Sequence, residues 1–335
     1  MSTGEAKLSK PLSVMVEIFG EPASFALVGH DPGMPGPGQV RIEVHAAGVS
    51  LVDILISEGK YQLRPDLPFV PGSECAGIIE AVGDGVDPGR IGERVCATSF
   101  IGAFGQTVIM AARSALPIPP SMTFADAAVF RVSHATAYHA LVQRGSLQAG
   151  ETLLVLGASG AIGHAAVQIG KALGTTVIAS ASTEAKRTFV TLAGADATVD
   201  AHSPTWRDDV KAASGGRGID VVVDPIGGDA TERAFRSLNW NGRLLVIGFA
   251  SGAIARLPVN LALLKGASLI GVDIRQSGEK EPEVQDANMR ALFDLHAAGK
   301  LKLPVGQIFP LSDYAAALRS VRDGTLLGRA VLAMR

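Results

Sequence analysis

The stretch Leu153-Leu154-Val155-Leu156-Gly157-Ala158-Ser159-Gly160-Ala161-Ile162-Gly163 decides the fold. Its first four residues are apolar without interruption, as in a strand buried on both faces. From Ile162 the apolar residues recur at helical spacing as far as Leu173, and Gly174 ends the run. A glycine-rich turn between a strand and a helix is the setting in which such a motif holds a dinucleotide. Gly157 makes the turn, Gly160 leaves room for a pyrophosphate, and Gly163 lets the helix approach the strand. Ser159, Ala161 and Ile162 complete the turn, with the first helical N–H groups and the helix dipole facing the phosphates. The spacing is G-x-x-G-x-x-G rather than the commoner G-x-G-x-x-G, and a turn without a ligand is the plain alternative. Further β–α units in succession favour the dinucleotide.

Those units continue the alternation. Apolar runs at 176–179, 197–200, 219–224, 243–249 and 268–272 read as strands, and 186–193, 205–213, 230–238 and 261–265 as helices. Strands with few polar interruptions, separated by helices, indicate a parallel sheet covered on both faces. Right-handed crossovers make it doubly wound. Upstream, residues 1–128 are β-rich. Short runs at 12–18, 39–44 and 76–82 are punctuated by glycine and proline, as in Asp31-Pro32-Gly33-Met34-Pro35-Gly36-Pro37-Gly38. This predicts a small irregular barrel or partly open antiparallel sheet. Helices are expected at 123–128 and 133–144. The tail reads as helix 285–298, strand 304–310, helix 312–322 and strand 329–334.

A chain of 335 residues suits two domains. An apolar share of 47% against 19% charged supports large cores rather than disorder. A net charge of −2 gives no electrostatic footprint for nucleic acid or an anionic membrane. Two cysteines, Cys75 and Cys96, make neither a disulfide framework nor a four-thiolate zinc site. No apolar run reaches membrane-spanning length, and Met1–Lys10 has no apolar leader, so the expected location is the cytoplasm.

The second strand of the alternating half should end near Ser182. An NAD site places an acid there for the ribose hydroxyls. This chain has Ala179-Ser180-Ala181-Ser182-Thr183, then Lys186 and Arg187. Hydroxyls and a cation suit a 2′-phosphate, which points to NADP(H) through Ser182 and Lys186. The competing explanation is a helix cap followed by surface cations.

Several separated elements resemble the zinc-free quinone oxidoreductase branch of the medium-chain dehydrogenase/reductase superfamily. They are Val49-Ser50-Leu51-Val52-Asp53, Leu67-Pro68-Phe69-Val70-Pro71-Gly72-Ser73-Glu74-Cys75-Ala76-Gly77, Ala135-Thr136-Ala137-Tyr138 and Asp224-Pro225-Ile226-Gly227-Gly228. The resemblance covers nearly the whole chain. It implies an α/β protein with a GroES-like β-rich catalytic domain (1–128 and 273–335), a Rossmann NADP(H)-binding domain (129–272), and a cleft for the nicotinamide. Zinc-dependent relatives place a cysteine where this chain has Ser50 and a histidine where it has Ser73. Serine is a poor zinc ligand beside thiolate or imidazole, so no metal is expected. Glu74 then reads as a structural hydrogen-bond partner.

Without a Lewis acid, alcohol dehydrogenation is disfavoured, and hydride transfer to a quinone or an α,β-unsaturated carbonyl remains. Tyr61 matches the proposed proton-donating tyrosine of enoyl thioester reductases, and lining the cleft is its equal alternative. Thr136 is a cleft candidate whose alternative is a bond to its own helix backbone. Ser50 stands in the substrate cleft in place of the family's asparagine. Further cofactor contacts implied by the resemblance are Gly227, the strand end Gly248, Phe249 and Ala250, then Val272, Asp273 and Ile274, and Arg329 near the phosphate, unless Arg329 is a plain surface arginine. Ala201 stands where some relatives have an aromatic residue or histidine at the adenosine. No histidine receives a catalytic role.

The leading expectation is therefore an NADPH-dependent reductase of a small-molecule hydride acceptor. Reduction of enoyl thioesters is the alternative within the class, with Lys60, Arg64 and Arg275 as candidate cations at its mouth. A non-catalytic NADPH-binding protein and a zinc alcohol dehydrogenase are the others. The apolar strand at 268–272 would pair with its copy in a homodimer, as family members do.

Overall fold

The computed structural model describes residues 10–335; of the polar stretch Met1–Lys10 all but Lys10 lies outside the described residues. The chain forms two compact units, one from the residues up to Arg131 with Leu303–Arg335, the other from Val132–Lys302.

In the first unit, β1 (Leu12–Met15) and β2 (Ala26–Gly29) make an antiparallel ribbon. The long β3 (Gln39–Val49) organises the main sheet, and its alternation places Val40, Ile42 and Val44 in the core. Next comes α1 (Leu51–Ser57), a helix not expected from the sequence. Its signal is a capping box, with the Ser50 side chain on the Asp53 N–H and the Asp53 carboxylate on the Ser50 N–H. Antiparallel β4 (Glu74–Val82), β5 (Arg94–Thr98), β6 (Thr107–Ala111) and β7 (Ala115–Pro117) complete this part, with β6 on β3. The short α2 (Phe124–Ala127) falls at the expected place, capped by Thr123.

The helix α3 (Arg131–Tyr138) runs on as a π-helical segment, His139–Arg144. Six parallel strands follow: β8 (Thr152–Val155), β9 (Thr176–Ala181), β10 (Ala197–Asp200), β11 (Ile219–Asp224), β12 (Leu238–Val246) and β13 (Ser268–Gly271). Their spatial order is β10-β9-β8-β11-β12-β13, the doubly wound arrangement expected. The connecting helices are α4 (Ala161–Ala172), α5 (Glu184–Leu192), α6 (Trp206–Ala213), α7 (Asp229–Arg236) and α8 (Asn260–Lys265). Leu153, Leu154 and Val155 are fully buried, which explains the uninterrupted apolar run.

The expected domain boundary at residue 272 is corrected. The helices α9 (Ile274–Lys280) and α10 (Pro282–Ala297) belong to the second unit, which extends to Lys302. Side-chain amides hold them there. Gln143 and Asn288 exchange two hydrogen bonds, and Gln168 bonds both the N–H and the C=O of Lys302. The chain then returns to the first unit through β14 (Val305–Pro310), α11 (Tyr314–Arg322) and β15 (Arg329–Ala333), in the order β14-β15-β3-β4-β5-β7. No helix among the described residues is long and apolar enough to cross a membrane.

His164, in the first turn of α4, is buried against Phe189 and accepts at Nδ1 from Gln168 Nε2 at 2.9 Å. Burial pushes its pKa down to about 4 from 6.5. A depressed histidine contributes stability that is present above its unfolded pKa and lost as pH falls toward the folded value. Urea unfolding between pH 7 and 4 should therefore show a loss of up to about 3 kcal/mol that His164→Leu removes. Equal acid sensitivity in both proteins would refute this assignment.

Candidate active site

The turn after β8 is built as a cradle. Gly157 has φ +56, and a Cβ there would meet Ile226 Cδ1 at 2.5 Å. A Cβ on Gly163 would lie 2.4 Å from the Gly157 carbonyl oxygen, so this glycine lets α4 close onto the turn itself. Gly160 opens α4 with no side-chain cap. The first-turn N–H groups at Ala161, Ile162 and Gly163 are thus left to an outside acceptor, and the helix dipole favours an anion. Ser159 lies half-buried beside them.

At the carboxyl end of β9, Ser182 is half-buried and Thr183, not Ser182, caps α5 by accepting from the Lys186 N–H. Lys186 makes no ion pair among the described residues. Its neighbour Arg187 is tied back, bonding the Ala181 carbonyl at 3.3 Å and Asp200 at the end of β10 at 3.1 Å. The Asp200 carboxyl is held below the usual range by the His202 N–H and by the Arg187 charge. Sequence reading missed this role of Asp200, because the pairing crosses two adjacent parallel strands.

Asp224 was also missed as a site-shaping group. It is buried at the end of β11, where one carboxylate oxygen accepts from the N–H groups of Ile226 and Gly227, both at 2.9 Å. The other accepts from the Thr231 hydroxyl at 2.6 Å. An Asp followed two residues later by bonded amides is an Asx-type turn, and the Asp-Pro-Ile-Gly-Gly sequence carries that signal. The turn is laced to the loop after β12: Ala250 N–H bonds Pro225 O, Ser251 N–H bonds Ile226 O, and Gly228 N–H bonds Ala253 O. Gly227, Gly248, Phe249 and Ala250 are thereby brought to one place, with Gly227 against Phe249. Val272 is buried and Ile274 half-buried. Asp273 caps α9, accepting from the Arg275 and Gln276 N–H groups, so its carboxylate is engaged.

In the first unit, Ser50 is half-buried and its hydroxyl donates to Asp53 at 2.7 Å. Ser73 and Glu74 are buried nearby in sequence at the start of β4. Two expectations are corrected. Arg329 is not a surface residue. It is 6% exposed, and its guanidinium pairs with Glu74 and reaches the carbonyls of Val49 and Val129. Thr136 is buried and its hydroxyl donates to Val132 O at 2.7 Å, so its proton is committed to its own helix. Tyr61 follows the glycine-terminated end of α1, half-buried against the first unit's core. Among the described residues, no group of three or more His, Cys, Asp or Glu could hold a metal ion. Cys75 and Cys96 are buried, and burial pushes both thiols up, as expected of core residues.

The family model of the alcohol dehydrogenase GroES-like domain matches residues 36–120, and that of zinc-binding dehydrogenase matches residues 161–288. The chain is similar to quinone oxidoreductase-like protein 2 of Mus musculus, 34% identical over 91% of this chain and 87% of that protein. It is 33% identical to quinone oxidoreductase of Homo sapiens over 97% of each. Among solved structures it resembles a mycobacterial protein complexed with NADPH, with a TM-score of 0.88 and 27% identity over 97% of this chain and 100% of that one.

Asp224→Ala should strand two amides and a hydroxyl. We expect a loss of about 3 kcal/mol in urea unfolding, with dinucleotide affinity weakened at least about tenfold by titration calorimetry. Unchanged affinity in the folded variant would show that the turn does not shape the site.

Proposed function

The chain belongs to the quinone oxidoreductase-like branch of the medium-chain dehydrogenase/reductase superfamily, and from that premise we propose that it is an NADPH-dependent, zinc-independent reductase of quinones or α,β-unsaturated carbonyls. The observation that carries this reading is the uncapped start of α4 behind Gly157, Gly160 and Gly163. The pyrophosphate is held there, and Lys186 and Ser182 take the 2′-phosphate, with Arg187 beside them on its Asp200 tether. The NADPH complex of the mycobacterial relative supports the choice of cofactor.

Zinc does not fit the donor set. Ser50 directs its hydroxyl to Asp53, and neither Ser50 nor Ser73 offers a thiolate or imidazole. When bound, the reduced nicotinamide supplies hydride to the acceptor. The chain's own residues then serve the oxygen that gains charge. Tyr61 donates a hydrogen bond to it, and Ser50 approaches the same oxygen. In the second unit, Gly227, Gly248, Phe249 and Ala250 gather at the carboxyl ends of β11 and β12.

Among the described residues, the edge strand β13 pairs with one strand, β12, and Leu269 on it is half exposed. Pairing of β13 with its copy makes a homodimer, covering an edge that would otherwise stay open.

Absorbance at the NADPH band should fall on addition of a quinone or a simple enone, much faster with NADPH than with NADH. Lys186→Ala should raise the KM for NADPH by about tenfold, leave that for NADH unchanged, and spare kcat. NADPH binding without turnover on any acceptor would replace the reductase with a binding protein. In sedimentation velocity, Leu269→Lys should convert a dimer to a monomer; a wild-type monomer would dismiss the β13 pairing.

A further inference from the structure

Asp53 is a buried carboxyl that the chemistry above leaves unused. It is 1% exposed. Its Oδ2 accepts from the Ser50 N–H and the Ser50 hydroxyl, each at 2.7 Å. Its Oδ1 is buried without a hydrogen-bonded partner of normal geometry. A capping-box carboxylate normally keeps its second oxygen in water, and a carboxylate oxygen poorly satisfied in the interior is costly. Protonation lowers that cost by taking the charge off the buried group. Burial pushes the Asp53 pKa up to about 6 from 3.8, although the Ser73 and Ser50 hydroxyls and the Ser50 N–H favour the charged form. Glu74 on β4 adds to the rise, and Arg329 of β15 pairs with Glu74.

Ser50 is the half-exposed end of this pair. With Asp53 ionised, the Ser50 hydrogen points at the carboxylate. With Asp53 protonated, the bond reverses: the carboxyl O–H donates to Ser50 Oγ and the Ser50 hydrogen is released to point elsewhere.

We propose that Asp53 is the proton source of the reductase and that Ser50 hands the proton to the acceptor. This rests on the reductase reading and adds to it the route of the proton. The acceptor, once it holds the hydride and its two electrons, carries negative charge on oxygen. The Ser50 O–H bond breaks as an acceptor O–H bond forms. The Asp53 O–H bond breaks in turn and its proton passes to Ser50 Oγ. Asp53 is left as a carboxylate and regains a proton from water, and neither residue changes oxidation state. Ser50 meets the acceptor; Asp53 acts through Ser50 and positions its hydrogen. Tyr61 steadies the same oxygen without being consumed.

The test compares wild type, Ser50→Ala, Ser50→Thr and Asp53→Asn. Each is assayed for NADPH oxidation with a quinone from pH 5 to 8, and the cofactor-free wild type and Asp53→Asn proteins are titrated by infrared difference spectroscopy of the carboxyl C=O band. In wild type, kcat should fall about tenfold per pH unit above about pH 6. Ser50→Ala should lose about 100-fold at pH 6 and flatten the profile, Ser50→Thr should restore both rate and slope, and Asp53→Asn should abolish the slope. The infrared band should titrate near pH 6 and vanish in Asp53→Asn. A flat wild-type profile, a Ser50→Ala protein of unchanged kcat, or a carboxyl that titrates near 4 overturns the relay alone. No turnover by wild type with any acceptor overturns the reductase reading and the relay together. Should Asp53→Asn fail to fold, the Ser50→Ala and Ser50→Thr pair still decides.

Discussion

One buried ion pair holds the first unit together. Glu74 on β4 and Arg329 on β15 lie 255 residues apart in sequence, and both side chains are shut away from solvent. Arg329 also bonds the carbonyl of Val49, the last residue of β3. Three strands therefore meet at one guanidinium. Removing either partner leaves an uncompensated interior charge, at a typical cost of about 3–5 kcal/mol. Val49 precedes Ser50, so the same guanidinium steadies the point from which α1 and the Ser50–Asp53 pair begin. Glu74 thus does structural work at the start of β4.

Aspartates in the second unit likewise tie the chain together, through backbone amides. Asp220 accepts from the Thr152 N–H at the start of β8, and Asp196 accepts from the Val177 N–H in β9. Asp224 closes the turn after β11. Each carboxylate satisfies a backbone amide that no strand neighbour can reach, and so sets where a strand begins or ends. The glycines need such support. A turn without side chains has little to fix its conformation, and the cradle at Gly157 gains definition because Ile226, held by the Asp224 turn, fills the space beside it.

The alternating half was readable because its signals are local. Apolar runs, helical spacing and terminating glycines such as Gly174 lie within a few residues of one another, and strand β8 with helix α4 appeared where the glycine turn placed them. Long-range partnerships were not readable. Nothing near Arg329 announces Glu74, so its burial and its ion pair could not be read from the sequence. The amide ties of Gln143 and Gln168 moved the unit boundary from 272 to 302 for the same reason. Thr136 failed differently: a buried helical threonine turns to the carbonyl four residues back, and only the environment decides whether it is free. Helix α1 could have been found, since Ser50-x-x-Asp53 is a capping box in plain sight.

The discontinuity of the first unit bears on how the protein is made. Val132–Lys302 is one uninterrupted stretch and holds all six strands of its sheet. The other sheet lacks an interior strand until Arg329–Ala333 has arrived, because β15 lies between β14 and β3. On a ribosome the N-terminal strands emerge first yet must wait, with the Ala46–Val49 end of β3 exposed, while the entire later unit is synthesised. That order gives the nascent chain a long interval in which β3 is open to the wrong neighbour, and it marks this edge as the place where a chaperone would be needed.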